Sequence, residues 1–306
     1  MLQQFDERNR DLIVNVGGRL SHRSEAAVSP FDSAVQGGDA VWEGLRLYDG
    51  RIFKLIEHLD RLRDSAKALA FGEIPSHETI IGEIRRTLEA NGMRDGVHVR
   101  LTLTRGVKVT SGMDPRLNTS GPTLIVLAEW KPPVYGRGGL TLVTSSVRRP
   151  GPDVMDPKIH SANLIPSILA KIEANAAGAD DALMLDGAGF VAETNATHVF
   201  LVERGKVSTG HTRACPEGIT RATVLELCAA NGIEHAVRDL SLAEVYRAQE
   251  MFCTGTMGEL ASVTTVDGRR IGSGEPGPVT RRLSDLYAQE TARAGHPIFG
   301  ELPPGG

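Results

Sequence analysis

Two turns in the second half of the chain have the residue types of an anion cradle. Gly218-Ile219-Thr220 opens a predicted helix. Its backbone N–H groups and helix dipole can face an anion, with the Thr220 hydroxyl as a further donor. Thr256, in the turn Thr254-Gly255-Thr256, offers a second hydroxyl and amide. Plain helix caps and tight turns explain the same residues equally well. Arg61 lies on a predicted helix beside Asp60 and Asp64; it could give a charge-assisted fork to an anion, although a solvated helix face is the commoner fate. His98 and Arg100 point to one face of a predicted strand, where side chains alternate with period two. A cation there could meet a carboxylate, or simply pair with a neighbour. Lys158 sits on an extended, proline-containing stretch between a strand and a helix, from which its amine could project; a surface lysine is the plainer reading.

The bulk of the chain excludes several classes. A net charge of -4 supplies no basic field for nucleic acid or an anionic membrane. No apolar run nears the roughly 20 residues of a membrane span, and MLQQFDERNRDLIV does not read as a secretory signal. Cys215, Cys228 and Cys253 lack metal spacing. The expectation is a cytoplasmic globular protein with no metal, no nucleic-acid partner and no membrane partner.

The elements that must position these residues are legible in the pattern. Asp49-Gly50 joins two strands, Val41–Tyr48 and Arg51–Leu55, as a hairpin. Leu55, Leu59, Leu62, Ala66 and Leu69 recur at helical spacing. A second helix runs from the N-cap Ser76 to Asn91, stopped by Gly92. Val97, Val99, Leu101 and Leu103 alternate with polar residues in a half-buried strand, and 123–129 is another. Pro132, Pro133, Gly136, Gly138 and Gly139 break regular structure. Beyond them strands at 140–145, 182–185, 199–202 and 251–254 alternate with helices near 164–177, 220–231, 242–248 and 279–292. A hairpin with Asp267-Gly268 at its tip precedes the last helix. The expected organisation is a smaller α+β domain over 1–130, a linker over 131–139 and a larger α/β domain over 140–306.

An ordered set of segments spans most of residues 41–286: VWEGLRLYDG (41–50), EHLDRLRDSAK (57–67), VHVRLTLTRG (97–106), Lys158 before a helix ending in AKIEA, GFVAETNATHVF (189–200), EGITRATVLEL (217–227) and TGTMGEL (254–260). Together they resemble the class IV (fold type IV) pyridoxal-phosphate aminotransferases, with branched-chain aminotransferases the nearest in look. The resemblance implies a two-domain α/β (α+β) fold whose C-terminal domain is a pseudo-barrel, a homodimer, and pyridoxal 5′-phosphate as cofactor. It implies amino transfer between a branched-chain or related amino acid and a 2-oxo acid such as 2-oxoglutarate. By resemblance Lys158 forms the Schiff base and serves as general base, and Glu193 keeps the pyridine nitrogen protonated, in a loop supported by Asn195 and Thr197. Arg61, Gly218, Ile219, Thr220, Gly255 and Thr256 hold the phosphate. Trp42, His98, Arg100 and Met257 line the substrate side, with Arg100 toward the dicarboxylate.

His98, Leu164 and Gly37 stand where branched-chain enzymes carry tyrosines, so the pocket differs in width and polarity. Counted back from the helix ending in Ala170-Lys171-Ile172-Glu173-Ala174, the family lysine falls one or two residues after Lys158, on the second register at His160. Two readings remain: a loop extension that brings Lys158 to the cofactor, or a family-fold protein in which His160 stands in place of the lysine. A D-amino-acid or (R)-amine transaminase and an aminodeoxychorismate lyase share the same frame.

Overall fold

The computed structural model describes residues 3–135 and 138–299; Gly136 and Arg137 of the proline- and glycine-rich stretch, and the tail ELPPGG, lie outside the described residues. The chain forms two compact units. In the first, β1 (Ile13–Val16), β2 (Arg19–His22), β3 (Ala40–Tyr48), β4 (Arg51–Ile52), β5 (Val97–Thr104) and β6 (Thr123–Trp130) make an antiparallel sheet. With it go α1 (Ser33–Gly37), α2 (Leu55–Ala68) and α3 (His77–Ala90). Alternation decides the faces: Val97, Val99, Leu101 and Leu103 of β5 enter the core with Val41, Leu45 and Leu47 of β3. The buried stripes of α2 (Leu55, Leu59, Leu62, Ala66) and α3 (Ile80, Ile84, Leu88) join the same core. Asp49 and Gly50 have positive φ, as the tight β3–β4 turn requires. Strand β4 is shorter than expected because Lys54, at φ 52, turns the chain into α2. The β1–β2 hairpin was not apparent from the sequence pattern.

The second unit is a nine-stranded mixed sheet. Its strands are β7 (Leu140–Thr144), β8 (Asp181–Leu185), β9 (Val191–Thr194), β10 (His198–Glu203), β11 (Lys206–Thr209), β12 (His235–Val237), β13 (Glu250–Gly255), β14 (Glu259–Val266) and β15 (Arg269–Arg270). The order is β12-β11-β10-β13-β14-β7-β8-β9, with β15 on β14. The turn 194–197 links β9, at one end of this path, to β10 near the other, so the sheet curls into a pseudo-barrel. Around it lie α4 (Ile165–Ala176), α5 (Ile219–Ala230), α6 (Leu242–Arg247) and α7 (Pro278–Arg293). Phe200 and Phe252, paired across β10 and β13, stack at 4.9 Å in the core.

The units are not consecutive in sequence. The first break, between Pro132 and Pro133, falls in the expected linker, but residues 159–163 and 291–299 group with the first unit. Backbone pairing is the cause. The Trp42 N–H donates to the His160 carbonyl at 3.0 Å and the Ala162 N–H to the Ala40 carbonyl at 2.8 Å, adding this segment to the edge of β3. The last strand, β16 (His296–Pro297), pairs with β4. The two units therefore interleave at 159–163 and 291–299.

Candidate active site

In the first unit, Glu43 is the one acid on the core-facing side of β3, and its side chain is 0% exposed. From α2, Arg61 donates Nε to Oε1 at 2.7 Å and Nη2 to Oε2 at 2.8 Å, while His58 Nδ1 lies 2.6 Å from Oε2. From the segment on the edge of β3, His160 Nδ1 lies 3.0 Å from Oε1. Burial pushes the Glu43 carboxyl up, but the electrostatic pull of His160 and Arg61 and the bonds from both imidazoles outweigh it, holding the group well below the usual carboxylate range. Burial lowers the His160 imidazole, against the pull of Glu43. For this tightly coupled set we take Glu43 as ionised with Arg61 as its cation. An ionised carboxylate only accepts, so both imidazoles carry their proton on Nδ1.

Arg61 is not a solvated helix residue: two of its nitrogens are committed to Glu43. His160 is held on three sides. Its backbone N–H donates to Ser65 Oγ at 3.0 Å, its ring meets Glu43, and it stacks on Trp42 at 4.4 Å between centroids.

The opposite face of β3 and β5 carries Trp42, His98 and Arg100. Arg100 lies over the Trp42 ring, 4.0 Å from its centroid, and burial lowers its guanidinium. Among the described residues it has no hydrogen bond or ion pair to an anion, a costly state for a partly buried cation. His98 sits against Gly44, and its Nε2 has no partner among the described residues. Burial, then Lys131, Arg100 and Arg46, push its pKa down to about 3, so it is neutral at physiological pH.

The second unit gathers the other candidates. Glu193 is buried on β9 and ion-paired with Arg149, whose Nη1 also donates to Ser167 Oγ at 3.1 Å. Asn195 and Thr197 fix the turn behind it. The Ala182 N–H donates to Asn195 Oδ1 at 2.8 Å, and the Thr194 and Thr197 hydroxyls bond at 2.7 Å. Gly218 is the N-cap of α5 with no side-chain cap. A Cβ there would lie 2.2 Å from the His198 ring, which favours glycine, and among the described residues no N-cap side chain occupies the first amides of the helix. Thr220 is buried in the first turn of α5. Cys215 ties these parts together: burial, then the Glu193 charge, raise its thiol, against Arg221 of α5 and Arg149. Gly255, Thr256 and Met257 form the β13–β14 turn, where the Met257 carbonyl accepts from the Val134 N–H at 3.1 Å. Thr254 Oγ1, at the end of β13, is buried with no partner among the described residues.

Lys158 lies at the surface of this unit, 55% exposed, with Nζ 3.8 Å from Glu217 Oε1. The structure thus groups Trp42, His98, Arg100, Arg61 and His160 in one unit, and Glu193, Asn195, Gly218, Ile219, Thr220, Gly255, Thr256, Met257 and Lys158 in the other. Sequence reasoning missed Glu43, His58 and Arg149. Glu43 was the visible one: an acid in the otherwise apolar positions of a strand needs a partner.

The chain matches the family model for amino-transferase class IV over residues 40–266. Branched-chain-amino-acid aminotransferase-like protein 2 of Arabidopsis thaliana is 56% identical over 95% of this chain and 52% of that protein. A putative branched-chain-amino-acid aminotransferase of Methanocaldococcus jannaschii is 38% identical over 94% of this chain and 99% of its own. The branched-chain amino acid aminotransferase of Thermobaculum terrenum, solved in its PLP-form, superposes with a TM-score of 0.82 at 29% identity, covering 93% of this chain and 94% of that one. The chain belongs to the class IV aminotransferase family and is branched-chain aminotransferase-like within it. It spans about half the length of the plant relatives it matches.

That family implies pyridoxal phosphate. The phosphate and ring ends of the cofactor find suitable residues here: the uncapped amides of α5 behind Gly218, and the buried Glu193 carboxylate. The amine end does not, since Lys158 is exposed and beside an acid.

Glu43 makes stability acid-sensitive. Its folded pKa is depressed, so its contribution is present above the unfolded carboxylate value of about 4.3 and is lost as pH falls through the folded one. Arg61→Ala leaves the buried carboxylate without its cation and should destabilise the chain by about 3–5 kcal/mol near neutral pH. Urea titrations should show this deficit shrinking below pH 4; a deficit independent of pH would mean that lost packing, not charge, is the cause.

Proposed function

We propose that this chain is a pyridoxal-phosphate aminotransferase that moves an amino group between a branched-chain or related amino acid and a 2-oxo acid. The observation that carries this is Glu193, a buried carboxylate held by Arg149 in the unit where α5 presents open amides. Glu193 would keep a proton on the pyridine nitrogen, because a carboxylate within reach favours the charged ring. The amides of Ile219 and Thr220, with the Thr220 and Thr256 hydroxyls, would take the phosphate. The bound cofactor supplies an electron sink for the substrate carbon. The turn at Asn195 and Thr197 fixes the approach to Glu193, and Met257 borders the Thr256 turn.

Arg100 supports an acidic substrate. A partly buried guanidinium that rests on Trp42 and has no anion of its own among the described residues suits the carboxylate of a 2-oxo acid. His98, neutral beside it, adds polarity without a second charge. We also propose a homodimer and a cytoplasmic location. The dimer is supported by Ile165, Ile168, Leu169 and Ile172, which form an exposed apolar stripe at helical spacing on α4. A reducing compartment suits the three free, buried thiols.

Two substitutions separate cofactor from substrate. Glu193→Ala should weaken pyridoxal-phosphate binding by about 10- to 100-fold, the worth of a charge-assisted bond. Arg100→Ala should leave that binding intact and lower kcat/KM for 2-oxoglutarate by about 100-fold, with a much smaller effect on pyruvate. Equal losses for both acceptors would remove Arg100 from the carboxylate role. Light scattering should give twice the chain mass, and Ile168→Asp should shift it toward monomer; a wild-type monomer at micromolar concentration contradicts the dimer.

A further inference from the structure

A covalent hold on the aldehyde of pyridoxal phosphate needs an amine that can lose its proton, which favours a desolvated lysine. The chain has seven lysines, all of them among the described residues. Only Lys108 is buried, and its Nζ donates to the Gly112 carbonyl at 2.5 Å. Lys158 has the opposite surroundings: it is open to water, with Nζ 3.8 Å from Glu217 Oε1. Two residues on, the chain does turn inward. The segment 159–163 pairs with the edge of β3 and places a half-buried side chain beside Glu43 and Arg61, but that side chain is the imidazole of His160.

The imidazole is fixed against movement. Ser65 holds its backbone, Trp42 lies against one ring face, and Glu43 accepts from Nδ1. With the proton on Nδ1, the neutral ring keeps a lone pair on Nε2. Such a group does not form the carbon–nitrogen bond that a lysine amine forms.

We propose that this chain binds pyridoxal phosphate reversibly, with no covalent anchor, the enclosed position at the edge of β3 being filled by His160 and Lys158 remaining at the surface. This rests on the reading that the chain takes pyridoxal phosphate, and the two can fail separately.

The test loads the full chain with pyridoxal phosphate and follows three readouts: retention on dialysis, absorbance, and peptide masses after borohydride. Wild type should bind one equivalent, release it on dialysis, and yield no stoichiometric phosphopyridoxyl peptide. Lys158→Ala, a surface change, should alter retention by no more than about twofold. A stoichiometric adduct on the Lys158 peptide of wild type, abolished in Lys158→Ala, overturns this inference and leaves the proposed function standing. No saturable binding by wild type overturns both.

Discussion

The first unit is organised around a carboxylate that water does not reach. An unpaired buried charge of this kind is prohibitively costly, so Glu43 dictates what surrounds it: Arg61 and His58 from α2, and His160 from a segment more than a hundred residues further along the chain. Helix, strand and returning segment are locked in one register by the donors that Glu43 demands. That demand explains why residues 159–163 group with the first unit, and why Arg61 is committed where it stands.

The second unit repeats the logic with one arginine. Glu193 is buried beside Arg149, and the paired turn at Thr194 and Thr197 fixes its strand. Here the structure also leaves donors open, at the glycine-capped start of α5, where the His198 ring favours glycine at Gly218. Closed polarity around Glu43 and open polarity around α5 divide the candidate residues into those that support the fold and those able to meet a ligand. Arg100 belongs with the latter, since it rests on the Trp42 ring and a ring face is a weaker partner than a carboxylate.

Much of this was readable from the sequence where local rules govern. The period-two alternation of residues 97–104, the helical spacing from Leu55, the Ser76 cap and the Asp49-Gly50 turn all appear as expected. So does a glycine-led start to α5, one residue earlier than predicted. What could not be read depends on distant pairing. Nothing near residue 160 announces that it joins the edge of β3, and nothing near Arg61 separates a solvated helix face from a salt bridge to Glu43. The Lys158/His160 ambiguity was visible in the spacing to α4. The two differ in surroundings: one side chain is solvated beside an acid, the other enclosed by Trp42, Ser65 and Glu43.

A crystal structure of the chain soaked in pyridoxal phosphate tests this account most directly. It should show the ring nitrogen within hydrogen-bond reach of Glu193, the phosphate on the first amides of α5, and Arg61 and His160 still on Glu43, with a gap in density between the cofactor aldehyde and every lysine. Continuous density from that aldehyde to Lys158 Nζ, with Lys158 drawn away from Glu217, would contradict it.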